Sequence, residues 1–507
     1  MNARKGFSNI AINILSQVIT LVLGIIIPRL VLVNLGSETN GLLTSINQVL
    51  VYVALLEAGV GTASLQALYG PVAKEDRSSI SSILAATDRF YKRTGRVYLA
   101  VVLLLTFVFP FTITSELPRK TIMAVMFLSG MPGAINYYFQ GKFTILLQAE
   151  GKSYIITSLT TVIHVFTSVS KIVLLLHGFG VVELQIMYLV FNLLQIAYIL
   201  LYMRRHYAWL DLSVKPDYDA IAQSKNVLVH QVSTLIFKNT DVLVLTYFCG
   251  LKAVSVYSMY SMLFGMVETL INNFSGANFI LGQTFQTDRK RFLKLHDAFE
   301  LYNMALTFSL FCIAGLFILP FMALYTSGVA DVSYVDPVLP YLFIAVSLLS
   351  KGRTSSNQAI NYAGHFKQTQ WRSMFESFIN LTVSLIAVNR FGIYGVLIGT
   401  IAALLYRTND MILYANRRIL NRSPWITYRR WLLNAALFLV VTVVGKRFFA
   451  GVALDTYPRI IFWAALSCVI VLPLFFGAVS AFDRETARFA KELLLPYLKR
   501  VLKRNNI

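Results

Sequence analysis

Residues 301–325 read LYNMALTFSLFCIAGLFILPFMALY, 25 positions without Asp, Glu, Lys or Arg. The hydrocarbon core of a bilayer is about 30 Å thick, and a helix rising 1.5 Å per residue crosses it in roughly 20 apolar residues. The run is long enough to span. It must do so as a helix, because in lipid the backbone N–H and C=O groups have only each other to bond. A closed barrel would instead show alternation over about ten residues, and none is present.

Working outward, comparable runs lie at 10–33, 41–64, 97–115, 121–143, 154–176 and 181–203. A second set follows at 227–248, 254–280, 301–325, 338–362, 373–388 and 393–414, and two more at 428–449 and 460–479. The reading is an all-α polytopic membrane protein with about fourteen transmembrane helices. Composition agrees: of 507 residues 56% are hydrophobic and 14% charged, with a mean hydropathy of +0.63. A water-soluble fold could not hide that much apolar surface. Arg4 and Lys5 precede an apolar run too long for a signal peptide's core, so the first run is read as a retained helix.

Basic residues test the topology independently, since short cytoplasmic loops collect them. With the N-terminus inside, the inner loops hold Arg89, Lys92, Arg93 and Arg96, then Arg204 and Arg205, then Arg289, Lys290, Arg291 and Lys294, with further clusters at 417–430 and in the tail. The outer loops hold only Arg119, Lys120, Lys252, Arg390, Lys446, Arg447 and Arg459. Both termini are expected in the cytoplasm. The formal charge of +21 is therefore mainly topological: contact with anionic membrane lipids explains it, and no nucleic-acid partner is expected. Two inner segments, 78–91 and the tail from Arg484 through Phe489 and Leu493, carry apolar residues at helical spacing and are expected as surface helices on the inner leaflet.

An internal repeat sets the organisation. Gln17-Val18 with Thr20-Leu21 recurs as Gln231-Val232 with Thr234-Leu235, and Gly36 recurs as Gly250, both at an offset of 214. Gly151 recurs as Gly364 and Phe179-Gly180 as Phe391-Gly392, with the offset drifting by only one or two residues. Each unit holds six spans, so the two halves share one orientation and form a parallel repeat, the kind related by an axis along the membrane normal. The expected domains are a six-helix bundle at 1–210, a second at 211–422, two extra helices at 423–482 and a basic tail at 483–507.

The residues now in view resemble, over essentially the whole length, the polysaccharide (O-antigen type) flippases of the multidrug/oligosaccharidyl-lipid/polysaccharide exporter superfamily. The resemblance is carried by the 13–29 span, the turn from Asn34-Leu35-Gly36 to Gly41-Leu42, Leu56-Glu57-Ala58-Gly59-Val60-Gly61, the 65–71 stretch and the basic 89–96 loop. It implies a MATE-like pair of six-helix bundles that rock to expose a central cavity alternately to either side. It also implies a bacterial inner-membrane flippase moving an undecaprenyl-pyrophosphate-linked oligosaccharide outward, alongside polysaccharide polymerase machinery.

Ionisable groups within the spans cost about 2.5–3.5 kcal/mol each by insertion scales, so they face a cavity or a partner. The positive ones are Arg29, Lys171, Lys238, Lys351, Arg353 and Arg407; the negative ones include Glu57, Asp241, Glu268, Glu376 and Asp410. A pyrophosphate needs uncompensated cations, so pairing decides. Lys238 with Asp241 and Arg407 with Asp410 are i,i+3 and able to self-neutralise. Lys351 and Arg353 have no acid nearby in sequence and sit among Ser350, Thr354, Ser355, Ser356 and Asn357, which makes them the leading headgroup site. Two positions apart on a helix means about 200° apart in direction, so both cannot face one cavity. Arg29 and Lys171 lie nearer span ends, where they can snorkel. Glu57, Asp241, Glu268 and Asp410 are the ion-coupling set, for H+ or Na+. Gly130, Pro132 and Gly133 mark a kink in the fourth span.

Other functions lack their chemistry. There is no GxxxxGK[ST] loop for ATP, since Gly151-Lys152-Ser153 has Leu146 where the upstream glycine belongs. The six histidines and three cysteines are scattered without metal or redox spacing, so neither catalysis nor a cofactor or metal is expected. A polysaccharide polymerase would need a sizeable outer loop. A cation-coupled drug or metabolite antiporter and a lipid II flippase remain the alternatives; the antiporter would use carboxylates without neighbouring cations, such as Glu57 and Glu268.

Overall fold

The computed structural model describes residues 3–57, 59–221, 239–273 and 278–493. Among them the regular structure is entirely helical. Ten helices are long and apolar enough to cross a membrane, which makes the chain a multi-pass membrane protein. The difference from fourteen has local causes. The first two runs form one continuous element, Ala3–Val53, kinked where Gly36 adopts φ 82° and ψ 171°. The seventh run falls largely outside the described residues. The tenth is broken into Leu339–Gly352 and Thr354–Tyr362, and the eleventh, inside Phe366–Phe391, is a helix too polar to qualify by composition.

The repeat is visible in the backbone. Gly36 and Gly250 have φ of 82° and 79°, and Gly151 and Gly364 have φ of 71° and 67°. This left-handed region is strained for side chains with a Cβ, so the same turns recur at both ends of the repeat. The third match is looser: Gly392 has φ 52°, while in the first half the left-handed residue is Gly178 rather than Gly180.

The chain divides into two compact units, 1–258 with 328–332, and 259–327 with 333–507. In the first, close approach of helices relies on small residues: a Cβ on Gly41 would lie 1.9 Å from the Leu251 carbonyl oxygen. Asn40 donates to Ser255 at 2.8 Å, and the Ser45 and Thr246 hydroxyls are 2.7 Å apart. The 78–91 segment differs from expectation. It is the start of one helix, Arg77–Thr112, and Ile80, Ile83, Leu84 and Tyr91 are buried against Leu68, Leu146 and Met203 rather than laid on a surface. Farther along that helix Leu104, Phe107 and Phe111 are exposed, as a lipid-facing stripe should be.

In the second unit Phe366–Phe391 and Ile393–Tyr414 pack almost backbone to backbone. A Cβ on Gly399 would meet Ser384 Oγ at 2.1 Å, and Asn380 donates to Thr400 at 2.9 Å. The two extra helices, Trp425–Phe449 and Tyr457–Phe482, dock through Trp431. Its indole meets Phe308 edge-on at 5.3 Å and lies where a Gly352 Cβ would be. At the helix ends Arg422 donates to Glu300 at 2.8 Å and to Asp297, and Arg430 bridges Asp297, Glu300 and, at 2.7 Å, Asp483. Phe489 and Leu493 of the tail pack on Leu281, Phe292 and Met411; the rest of the expected tail helix lies outside the described residues.

Candidate functional site

The leading expectation was Lys351 and Arg353, and the structure gives both of them acids. Lys351 Nζ is 3.1 Å from Glu268 Oε2, and Arg353 Nη1 donates to Glu376 Oε1 at 2.6 Å. Sequence distance concealed these partners, since Glu268 stands 83 positions before Lys351 and Glu376 stands 23 after Arg353. Glu268 is likewise not the isolated carboxylate expected. The Arg407–Asp410 pair forms as its spacing suggests, with Nη1 to Oδ2 at 2.6 Å. It joins a larger network, since Asp410 also receives Arg372 and Arg407 Nε lies 3.6 Å from Glu376. Lys238 lies outside the described residues; Asp241 accepts from the Tyr257 hydroxyl at 3.0 Å. Arg29 sits half-buried just after Pro28.

Lys171 stands apart. It lines a cavity of about 730 Å³ within the first unit and is the one Lys, Arg, Asp or Glu among the described lining residues. Its Nζ lies over the Tyr188 ring at 5.2 Å, a cation–π contact that leaves the ammonium's hydrogen-bond donors available. Two helices build the polar wall. Thr160, His164, Thr167, Ser168 and Lys171 follow one face of Ser153–Leu176 at spacings of three and four. Gln185, Tyr188, Asn192 and Gln195 do the same on Val181–His206. Polar residues at helical spacing inside an apolar run are a signal the sequence offers directly.

The remaining wall comes from Asn47 and its neighbours on the first helix and from the fourth span. The irregularity in this span lies after the expected Gly130–Gly133 position. Arg119–Ile135 runs past Pro132 into a π-turn, Asn136–Gln140, before Gly141–Ala149 resumes. Such turns widen a helix by one residue and cluster at functional sites. Gly133 lets Tyr98 lie across the helix, since a Cβ there would be 2.6 Å from the Tyr98 hydroxyl. Among the described residues, Asn136 Oδ1 and Asn192 Oδ1 are buried in the wall without hydrogen-bond partners.

A second, smaller cavity of about 410 Å³ contains Glu57. The Tyr91 hydroxyl donates to its Oε1, and none of the described lining residues is Lys or Arg. Glu57 thus keeps the isolation that Glu268 lacks.

Outside the spans, Tyr207 caps the Val181–His206 helix. Burial, together with its hydrogen bond to Glu150, pushes its phenol up to about 12, so it acts as a neutral donor there, with Lys152 Nζ at 3.0 Å.

No family model and no curated protein matches this chain. Solved structures do. The lipid II flippase MurJ, in an inward closed conformation, aligns with 93% of this chain and 98% of its own at a TM-score of 0.68 and 14% identity. An inward-facing multidrug resistance MATE family transporter of the MOP superfamily aligns with 79% of this chain and 94% of its own, with a TM-score of 0.64 and 15% identity. The chain has the fold these transporters share. A MATE in the bent conformation is similar at a TM-score of 0.50 and 17% identity, covering 79% of this chain and 93% of its own. These neighbours are transporters and not enzymes. The MATE structures are almost wholly covered and still leave about a fifth of this chain without a counterpart, whereas the flippase accounts for nearly all of it.

Proposed function

We propose that the chain is a flippase that moves an undecaprenyl-pyrophosphate-linked oligosaccharide from the inner to the outer leaflet of a bacterial inner membrane by alternating access, for cell-surface polysaccharide synthesis. The observation that carries this reading is Lys171, a cation with no carboxylate among the described residues of its cavity, which also include amides and hydroxyls. A phosphate loses its hydration on entering such a space and needs charge-assisted donors in return, while sugar hydroxyls pair with Asn, Gln, Ser and Thr. A cationic drug would be repelled by the same ammonium. The whole-length likeness to a lipid II flippase supports a lipid-linked cargo. The paired residues Lys351, Arg353 and Arg407 support the bundle more directly than they support cargo, and Lys238 and Arg29 stay in the proposed set on charge and depth alone.

The second reading, a cation-coupled antiporter, rests on Glu57, whose cavity is anionic. Transport in proteoliposomes separates the two. Wild type is expected to move a labelled polyprenyl-pyrophosphate oligosaccharide, and Lys171→Ala to lose about tenfold or more, since a hydrogen bond to a charged group contributes roughly 1.5–3 kcal/mol. Export of an organic cation by wild type, with no lipid movement, would replace the flippase with the antiporter.

A further inference from the structure

We infer that the second unit holds a binding site for the headgroup of an ethanolamine phospholipid, in a groove where the two extra helices and the start of the tail meet the helix Arg289–Tyr325. Two adjoining cavities form the groove. One, of about 400 Å³, is lined in part by Ile426, Arg429, Phe482 and Arg484. The other, of about 260 Å³, includes Lys294, Arg488 and Glu492. They share Asp297, Glu485 and Thr486.

Position points to a lipid. Arg289–Tyr325 begins near the groove, Trp425–Phe449 begins in it and Tyr457–Phe482 ends in it, and each of the three is long and apolar enough to cross a membrane. The groove thus lies at the level where three spans leave the hydrocarbon, which is where phospholipid headgroups sit. Ile426 and Phe482 are exposed and set apolar surface beside the charges, as a headgroup joined to its acyl chains requires.

Charge separates the floor of the groove from its rim. On the floor Arg430 is held by Asp297 and Asp483. On the rim Lys294, Arg429, Arg484, Glu485, Arg488 and Glu492 form no ion pair among the described residues. Arg488 and Glu492 are four apart on one helix, a spacing suited to pairing, and still stand unpaired. Arg429 lies over the Phe482 ring at 4.8 Å and Lys294 over Phe489 at 5.8 Å, contacts that leave their N–H donors available. A phosphodiester accepts charge-assisted hydrogen bonds from such guanidinium groups. Glu485, common to both cavities, would repel a purely anionic headgroup and accepts from an ammonium. A choline headgroup carries the same charges as ethanolamine but has no N–H to donate. The ligand that matches both signs and supplies donors is phosphoethanolamine.

A headgroup seated here also spans the parts that Arg430 ties together, since the cavity that holds Arg429 and Arg484 is closed by Asp297 from the Arg289–Tyr325 helix. Binding to this docked arrangement raises the melting midpoint by mass action.

The site is independent of the cargo, so its test omits cargo. Full-length protein, purified in detergent and stripped of lipid, is titrated with dioleoyl phosphatidylethanolamine, phosphatidylcholine or phosphatidylglycerol and with soluble O-phosphoethanolamine, reading the melting midpoint and the lipid retained in native mass spectrometry. Wild type and the control Arg459→Gln, at the other end of Tyr457–Phe482, are expected to bind the ethanolamine lipid about tenfold or more tighter than the choline lipid. Glu485→Gln should erase that preference and leave phospholipid binding in place. Arg429→Gln combined with Arg484→Gln should weaken every phospholipid about tenfold or more. All three side chains are exposed, so these variants are expected to fold. Variants that bind as wild type does would mean lipid of the general annulus only and overturn the site. Tighter binding of phosphatidylglycerol than of phosphatidylethanolamine would make it an anionic-lipid site, and soluble O-phosphoethanolamine matching the lipid would make it a site for a free phosphoester; either result overturns the proposal.

Discussion

The two units treat charge in opposite ways. In the second, Lys351, Arg353, Arg372, Arg407, Arg422 and Arg430 each meet a carboxylate. In the first, Lys171 and Glu57 each line a cavity with no opposite charge among its described residues. Lys142 with Asp88 shows that the first unit can also pair its charges where it packs tightly. Counting intramembrane cations therefore does not distinguish those that are paired from those that face a cavity. What separates a structural charge from one open to a ligand is the partner on another helix.

If the paired charges are structural, the largest effect should come from Arg430. Its guanidinium is shared by Asp297, Glu300 and Asp483, and Glu300 is 1% exposed. Arg430→Met leaves a buried carboxylate short of a cation and should cost about 3–5 kcal/mol, read as a large fall in melting midpoint; a double change of Arg430 and Glu300 to apolar residues should recover part of it. Next comes Gly352→Ala, whose Cβ would lie 2.0 Å from Trp431 Cζ2. Overpacking there should cost about 1–3 kcal/mol by pushing away the helix that docks on Trp431, measured by the same melt.

A smaller effect should appear in the pH dependence. Burial pushes the Asp483 carboxyl up, but hydrogen bonds from Arg430 and Thr486 outweigh it and hold the group below the ordinary carboxylate range. Its contribution is complete above the unfolded pKa, about 4, and is lost as pH falls through the lower folded value. Asp483→Asn should therefore flatten the acid limb of a melting-midpoint profile. The smallest stability effect is expected at Lys171. Lys171→Met removes a charge with no ion pair and should leave the midpoint unchanged or raised while transport fails; a fall as large as that of Arg430→Met would erase the contrast between the units.

Much of the fold is legible in the chain. Apolar run length requires membrane helices, and Gly36 with Gly250 and Gly151 with Gly364 reveal the repeat because the same left-handed turn demands glycine twice. Helix breaks are less legible. Nothing in the 338–362 composition marks the interruption at Arg353, which coincides with Gly352 lying against Trp431 and the Arg353 guanidinium reaching Glu376. Charge pairing was not legible. Lys351 and Arg353 look isolated because their acids come from other helices, which spacing along one helix cannot show. The stripes at 160, 164, 167, 168 and 171 and at 185, 188, 192 and 195 carry a plain helical period, but one wheel cannot tell whether such a stripe faces a cavity or a neighbour.

The π-turn at Asn136–Gln140 holds one more residue than an α-helical turn would. In screw terms the fourth span is two threads cut out of phase: removing that residue would advance everything on one side by about 100°. Both sides are packed, with Lys142 held by Asp88 and Leu146 and Leu147 buried on one and Ile122, Val125 and Met126 buried on the other, so the rotation would set the two stretches against each other. A single-residue deletion at Tyr138, itself exposed, would thus turn Gly133 and Asn136 relative to Gln140 and Lys142, without removing a residue that lines either cavity.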